Sequence, residues 1–330
     1  MPAHREHRHT LAAGCAVGVL ALFAGCSLGP VAQTGTGSPV ASDASTAASD
    51  AFVPGDGDRS GLVDLGDGRE VFLQCSGSGS PTVVLISGAG VAADDWEYVG
   101  DPTSATDPAV PSGDAVYPQA AESTRVCAYD RPGTEQMEGE PSRSTEVPQP
   151  TTSQDAAATL QALLTAAEVP GPYVVVGHSW GGMIAQTFAR EHPDDVAGLV
   201  LVDPGSQYLQ ETLPPEVWDR WMADAAAAGA SKPGAETPDY PASFAALATT
   251  PPLPSMPAAV LTADRPFDYL GIGDATTYWP AWIEAQTRLA ASLGATHVTQ
   301  TDSGHFIGNE HPELVLEQIR AAMIMGSTSG

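Results

Sequence analysis

Basic residues are scarce in this sequence. Its 330 residues hold 13 lysines and arginines against 40 aspartates and glutamates, which gives a formal net charge of −27 at pH 7. A surface of this sign repels phosphate backbones, so nucleic acid is not expected as a partner. A helix-turn-helix pattern, a zinc-ligand cluster, a phosphate-binding loop and an internal repeat are also missing from the sequence, which excludes the function classes that they indicate.

The N-terminal apolar run, residues 11–24, is too short for a stable membrane span. It follows Arg5 and Arg8, and a basic start before a short apolar stretch is typical of an export signal. The run ends in Phe23-Ala24-Gly25-Cys26, which resembles the bacterial lipobox. This resemblance implies a signal peptide over residues 1–25 and a lipid anchor on Cys26. Lipoboxes prefer Leu at the position of Phe23, so ordinary secretion with cleavage nearby stays open. The protein is therefore expected on the extracytoplasmic face of the cell membrane, or secreted.

Large apolar side chains are almost absent from the next segment. Residues 26–58 consist mainly of Ser, Thr, Ala, Gly and Pro, a composition that predicts a flexible tether. We expect one globular domain over residues 59–326.

Cysteine is scarce as well, with four in the chain. Cys15 lies in the predicted signal and Cys26 is the predicted anchor, which leaves Cys75 and Cys127. An even number of cysteines in an oxidising compartment favours one disulfide. Two unpaired buried thiols are the alternative.

Short apolar runs recur along the rest of the chain and alternate with helical patterns. Strands are predicted at residues 69–74, 82–86, 124–129, 173–176, 198–202, 258–262 and 297–299, and helices at residues 153–168 and 312–323. Thr152 and Asp155 form a variant capping box for the first of these helices. This alternation predicts an α/β fold with a mostly parallel sheet. Residues 204–257, rich in Pro and Ala with two Trp, interrupt it and are predicted to form a lid.

The strongest catalytic motif is Gly177-His178-Ser179-Trp180-Gly181-Gly182. It stands between a β-branched strand and an amphipathic helix, which is the setting of a nucleophile elbow, where the serine hydroxyl is exposed on a sharp turn. Ser179 is therefore the predicted nucleophile.

A serine needs an imidazole to accept its proton, and Ser303-Gly304-His305-Phe306 supplies one after the last predicted strand. His305 is the predicted general base. His178, beside the nucleophile, is expected to shape the pocket.

These motifs, together with Tyr129-Asp130-Arg131-Pro132-Gly133 and Leu199-Val200-Leu201-Val202-Asp203, resemble those of the α/β-hydrolase superfamily over residues 61–322. The resemblance implies a twisted, mostly parallel sheet with helices on both faces and a lid after the strand that follows the nucleophile helix. It places Cys75 and Cys127 on neighbouring strands. It also implies an oxyanion hole formed by the backbone amides of Trp180 and Ala89, although Ser87-Gly88 replaces the family's His-Gly.

The acid of the triad stays open between two aspartates. In most of the superfamily the acid follows the penultimate strand, and Asp264 lies close to that place without occupying it. In a minority it ends the strand after the nucleophile helix, which is the position of Asp203. We favour Asp203 and keep Asp264 as the alternative.

The predicted function is hydrolysis of a carboxylic ester or related acyl bond of a small molecule through an acyl-enzyme, without a metal or organic cofactor. Ser179 at the elbow argues against haloalkane dehalogenases and epoxide hydrolases, which carry aspartate there. An exported aminopeptidase or amidase of the same fold and a non-catalytic ligand-binding protein on the same scaffold are the alternatives.

Overall fold

The computed structural model describes residues 51–106 and 108–326. The predicted signal peptide, the predicted lipidation site at Cys26 and most of the predicted tether lie outside these residues. Within the described ranges, no helix is both long and apolar enough to cross a membrane.

A central sheet of eight strands organises the molecule. The strands in chain order are β1 (Arg59–Asp64), β2 (Glu70–Ser76), β3 (Thr82–Ile86), β4 (Tyr98–Val99), β5 (Val110–Pro111), β6 (Val126–Tyr129), β7 (Tyr173–His178), β8 (Val196–Val202), β9 (Ala258–Leu261) and β10 (Thr296–Val298). β4 and β5 form a separate ribbon, and the others are ordered β1-β2-β6-β3-β7-β8-β9-β10. β2 is antiparallel to both neighbours, and the remaining neighbours are parallel. The predicted mostly parallel sheet is confirmed.

Helices cover both faces of this sheet. They are α1 (Val116–Ala121), α2 (Ser153–Ala166), α3 (Trp180–Glu191), α4 (Leu209–Thr212), α5 (Pro215–Ala230), α6 (Tyr240–Thr249), α7 (Trp279–Leu293), α8 (Ile307–Glu310) and α9 (Pro312–Gly326). Side chains of α2, α3 and α7 share a buried cluster with one face of the sheet, and those of α1 and α9 share one with the other.

The continuous apolar runs of the inner strands follow from this layering. In β3, Val83 and Leu85 belong to one buried cluster, whereas Val84 and Ile86 belong to the other. Because successive side chains of a strand point to opposite faces, a strand covered on both sides needs apolar residues at every position.

The start of α2 shows how local sequence sets an element boundary. Thr152 accepts a hydrogen bond from the Asp155 amide, and the Asp155 carboxylate accepts one from the Thr152 amide, which completes the predicted capping box. Behind this cap, Leu160, Leu163 and Leu164 are fully buried. Each such burial contributes roughly 1.5–3 kcal/mol relative to an exposed side chain.

The predicted lid region, residues 204–257, holds α4, α5 and α6. Between α5 and α6 the chain returns to the body of the molecule, where the Glu236 amide donates to the Gly133 carbonyl at 2.8 Å. Gly133 has a φ of +79°, and a Cβ there would lie 2.5 Å from the Gly234 carbonyl oxygen. Only glycine therefore fits where the predicted lid region meets the loop after β6.

The predicted disulfide is confirmed. Cys75 of β2 and Cys127 of β6 lie directly opposite each other in the antiparallel ladder, and their sulfurs are bonded. The alternative of two unpaired thiols is wrong.

The structure differs from the sequence-based expectation at both edges of the sheet. β1 and α7 are absent from the predicted elements. The end of the predicted tether also contacts the domain, because the Phe52 amide donates to the Leu62 carbonyl at 2.9 Å and the Phe52 side chain packs against the core.

Candidate active site

Ser179 stands on a strained turn between β7 and α3. Its φ of 53° and ψ of −116° lie outside the regions that L-residues ordinarily occupy. Its amide donates to the Val202 carbonyl of the neighbouring β8 at 3.0 Å. Such strain persists only where the surroundings fix it, and it presents the side chain at the carboxyl edge of the sheet.

At Gly181, the first turn of α3 lies too close to the end of β3 to leave room for a side chain. A Cβ on Gly181 would lie 2.2 Å from the Ile86 carbonyl oxygen and 2.5 Å from that of Ser87. The glycine after the predicted nucleophile is thus required by the packing of helix on strand, in agreement with the elbow motif.

His305 follows β10 and reaches the same edge of the sheet. Its Nδ1 lies 2.7 Å from Oδ2 of Asp203, and its side chain is 14% exposed. A carboxylate only accepts hydrogen bonds, so Nδ1 carries the proton and Nε2 of the neutral ring is the basic nitrogen. This is the tautomer that a general base for a serine hydroxyl requires.

Asp203 directly follows β8, adopts a left-handed conformation with a φ of 42°, and is fully buried. While Oδ2 accepts from His305, Oδ1 accepts from the Ala263 amide at 3.1 Å and from the Trp282 indole at 3.0 Å. Three donors thus satisfy the buried carboxylate, as a buried charge requires.

Within the described residues, the carboxylate of Asp264, the alternative acid, is bonded to loop residues and not to the imidazole of His305. Its carboxylate accepts from the amides of Thr301 and Ser303, both at 3.1 Å. Among the described residues Asp264 therefore shapes the loop that leads to His305, and Asp203 holds the ring.

His178 lies behind the nucleophile and is buried. Burial, followed by repulsion from His305, holds the pKa of His178 well below its usual range. The neutral ring places Nε2 at 2.9 Å from the His305 backbone carbonyl, which accepts the proton on that nitrogen. His178 thus fixes the loop that carries the candidate base.

The candidate oxyanion donors are the amides of Ala89 and Trp180. Trp180 begins α3, so its amide is among those that have no partner within the helix. Within residues 51–106 and 108–326, no protein acceptor takes the Ala89 amide. A Cβ on Gly88 would lie 3.5 Å from the Ser179 Cβ, so this loop passes beside the nucleophile.

Aromatic side chains surround the imidazole. Phe267 stacks on His305 with a centroid distance of 4.5 Å, and Trp282 meets the same ring edge-on at 6.1 Å. Sequence reasoning missed both roles, because no local motif links Trp282 to an aspartate 79 positions earlier. Of the other tryptophans in or near the lid, Trp218 and Trp221 are buried against each other.

No group of three or more His, Cys, Asp or Glu side chains in the described part of the chain could hold a metal ion. The arrangement itself offers a strained serine, an oriented imidazole and backbone amides.

Comparison with known proteins supports this assignment at the level of the fold. A model described as the alpha/beta hydrolase family matches residues 83–318. The "Probable transporter efuK" of Hormonema carpetanum is 28% identical over 169 residues, which cover 48% of this chain but 21% of that protein. The chain thus spans about a fifth of that relative's length.

Two further proteins are similar to this chain. "Lipase LipV" of Mycobacterium tuberculosis is 62% identical over 34 residues, which cover 10% of this chain and 13% of the lipase. A thermophilic esterase from Thermogutta terrifontis superimposes with a TM-score of 0.53 at 20% identity, covering 81% of this chain and 98% of the esterase. At that identity the superposition supports the fold alone.

Proposed function

The chain belongs to the alpha/beta hydrolase family, and from this premise we propose that it is a serine hydrolase that cleaves a carboxylic ester or related acyl bond of a small molecule. The observation that carries the proposal is the 2.7 Å bond between His305 and Asp203 at the same edge of the sheet as the strained Ser179.

The proposed reaction has two halves. In the first, Ser179 Oγ attacks the acyl carbon while His305 Nε2 takes the hydroxyl proton, and the amides of Ala89 and Trp180 stabilise the oxyanion. When the tetrahedral adduct collapses, His305 passes that proton to the leaving alcohol. In the second half, His305 deprotonates a water that attacks the acyl-enzyme, and the released proton returns to Ser179 as the acid leaves. Asp203 stabilises the imidazolium in both halves.

The test combines covalent labelling with turnover. The purified protein is exposed to a fluorophosphonate probe and to p-nitrophenyl esters of increasing chain length. Ser179→Ala is expected to abolish both signals. Ser206→Ala is the control, because Ser206 is a buried serine whose hydroxyl has no partner in the described structure. It is expected to label normally.

The same assay distinguishes the two aspartates. Asp203→Asn removes the acceptor that fixes the His305 tautomer, so turnover is expected to fall by about three to four orders of magnitude. Asp264→Asn disturbs only the loop before His305 and is expected to cost much less. A wild-type protein that neither labels nor turns over any ester contradicts the proposal, and turnover of peptides alone would replace it with the amidase alternative.

We also propose export and lipid anchoring at Cys26, on the support of the sequence alone. Cys26→Ala is expected to move the protein from the detergent phase to the aqueous phase in a detergent partition of whole cells. Cys15→Ala, which removes the other cysteine of the signal region, is the control and is expected to change nothing. Equal partition of wild type and Cys26→Ala would exclude the anchor.

A further inference from the structure

A buried ion pair connects the lid to the body of the molecule. Arg131, two residues after β6, donates from Nε and Nη2 to the Glu236 carboxylate at 2.5 and 3.0 Å. The side chains are 4% and 3% exposed. Since desolvation offsets most of the attraction in such pairs, burial alone gives little stability. The role of this ion pair is therefore to be found in the other hydrogen bonds that Arg131 and Glu236 make.

Arg131 also holds the loop after β3. Its Nη1 donates to the Ser87 carbonyl at 3.0 Å, and its Nη2 donates to the Gly88 carbonyl at 2.6 Å. The Gly88 carbonyl belongs to the same peptide unit as the Ala89 amide. In a trans peptide the C=O and N–H bonds point in opposite directions. By fixing the carbonyl on one side, Arg131 sets the direction of the Ala89 N–H on the other.

Glu236 holds the far side of the same residue. Its Oε2 accepts a hydrogen bond from the Gly90 amide at 2.7 Å. The peptide units before and after Ala89 are thus both bonded to one ion pair, and the Ala89 amide between them keeps no acceptor within the described protein. A donor that is aimed and unused is what an oxyanion hole needs.

We propose that Arg131 and Glu236 are positioning residues that aim the Ala89 amide at the oxyanion, so that the lid completes the oxyanion hole. This inference rests on the function proposed above. The buried charges thus orient a backbone donor. Turnover then depends on the contact of residues 231–239 with the loop beside Gly133.

Glu236→Gln tests the proposal because it removes the charge that orients the Arg131 guanidinium while keeping nearly the same volume. Loss of a whole oxyanion donor lowers kcat by about 100- to 1,000-fold. Misdirection of one donor is expected to lower kcat by about 10- to 100-fold with KM within about twofold. The rate constant of fluorophosphonate inactivation is expected to fall in parallel, because the phosphonyl oxygen needs the same donors.

Arg131→Lys is the second variant, in case the uncompensated arginine of Glu236→Gln prevents folding. It keeps the charge pair, but a lysine ammonium cannot reproduce the planar fork that reaches two carbonyls and a carboxylate. A similar loss of kcat is expected. Glu211→Gln is the matched control, since Glu211 pairs with Arg288 on the exposed surface, and its kinetics are expected to match wild type. Rates are normalised to the fraction of active sites. The melting temperature of each variant is measured as well, so that a loss of kcat can be distinguished from a loss of stability.

Two results would overturn the proposal. If the variants have a lower melting temperature than wild type but the same kcat, the role of the ion pair is purely structural. If the variants change KM alone, the ion pair takes part in substrate binding. If wild type itself neither labels nor turns over esters, the proposed function is wrong, and the positioning role of Arg131 and Glu236 is wrong with it. Full activity in wild type and in both variants contradicts only the positioning role.

Discussion

At the scale of single residues, the candidate site depends on how one buried carboxylate is held. Asp203 uses Oδ2 for the imidazole and Oδ1 for the Ala263 amide and the Trp282 indole. A carboxylate that accepts a single hydrogen bond could rotate about its Cβ–Cγ bond, whereas three hydrogen-bond donors fix the plane of the carboxylate. The orientation of His305 therefore depends partly on a tryptophan from α7.

Trp282→Phe tests this dependence, because it removes the indole donor and keeps an aromatic ring against Phe267 and Tyr269. A hydrogen bond to a charged group contributes roughly 1.5–3 kcal/mol. We expect kcat for an ester to fall about tenfold with little change in KM. Trp279→Phe is the control, since Trp279 packs on Phe267 from the same helix. Equal effects of the two variants would show that packing, and not the indole bond, matters.

A second residue-scale prediction concerns Asp95, which is buried beside Asn309. Burial raises the pKa of Asp95 to about 6. The folded protein thus disfavours the charged form more than the unfolded chain does. Ionised Asp95 costs stability above pH 6, and this cost disappears as the pH falls through 6 toward 4. A difference of about two pKa units corresponds to about 3 kcal/mol.

Asp95→Asn is therefore expected to raise the free energy of unfolding at pH 8 by about 1–3 kcal/mol, with the gain vanishing near pH 4. The amide oxygen of the new side chain can still accept from Asn309. Urea unfolding at several pH values measures the effect, with the exposed Asp194→Asn as control. A gain that does not depend on pH would rule out titration of Asp95 as its cause.

At the scale of elements, the disulfide joins β2 and β6 on the antiparallel side of the sheet. The two cysteines are separated by 52 positions. In the chain-entropy model, removing a cross-link over about 50 residues costs about 4 kcal/mol through the unfolded state. Replacing both cysteines by alanine is expected to lower the free energy of unfolding by about that amount in urea titrations. Wild type under reducing conditions is the control and is expected to approach the variant. An unchanged midpoint would show that the cross-link contributes nothing.

The elements that the sequence predicts are those whose local signal agrees with their packing. β3 and β7 are short apolar runs because both faces are covered, and α2 carries its own capping box. β1 lies at the sheet edge with only Leu62 and Val63 as large apolar residues, so its signal is weak. α7 does carry apolar spacing at Trp282, Ala285 and Leu289, which is a usable signal that the prediction missed.

The same reasoning separates the parts of the site. Ser179 and His305 lie in recognisable motifs, because an elbow and its base need particular local backbones. Asp203 could be favoured over Asp264 only by analogy, since the choice depends on which loop reaches the imidazole. The bonds of Trp282 and of Glu236 are tertiary, and no spacing along the chain predicts them.

At the scale of the whole molecule, charge is the dominant imbalance. The chain has 40 acidic and 13 basic residues. Five arginines of the described residues are already paired with carboxylates, namely Arg125, Arg131, Arg143, Arg265 and Arg288. Most carboxylates therefore face solvent and one another. Such a surface favours solubility but destabilises the compact state by self-repulsion.

Screening is expected to relieve this repulsion. Raising NaCl from about 0.01 M to about 0.15 M shortens the Debye length from about 30 Å to about 8 Å. Repulsion between surface carboxylates is weakened, whereas the ion pair of Arg131 and Glu236 is buried and little affected. The melting temperature at pH 8 should therefore rise by a few degrees. KCl at equal ionic strength should act alike, because screening depends on charge and not on the identity of the ion. A melting temperature that falls with salt would mean that surface ion pairs, and not the excess of carboxylates, govern the electrostatic stability of this protein.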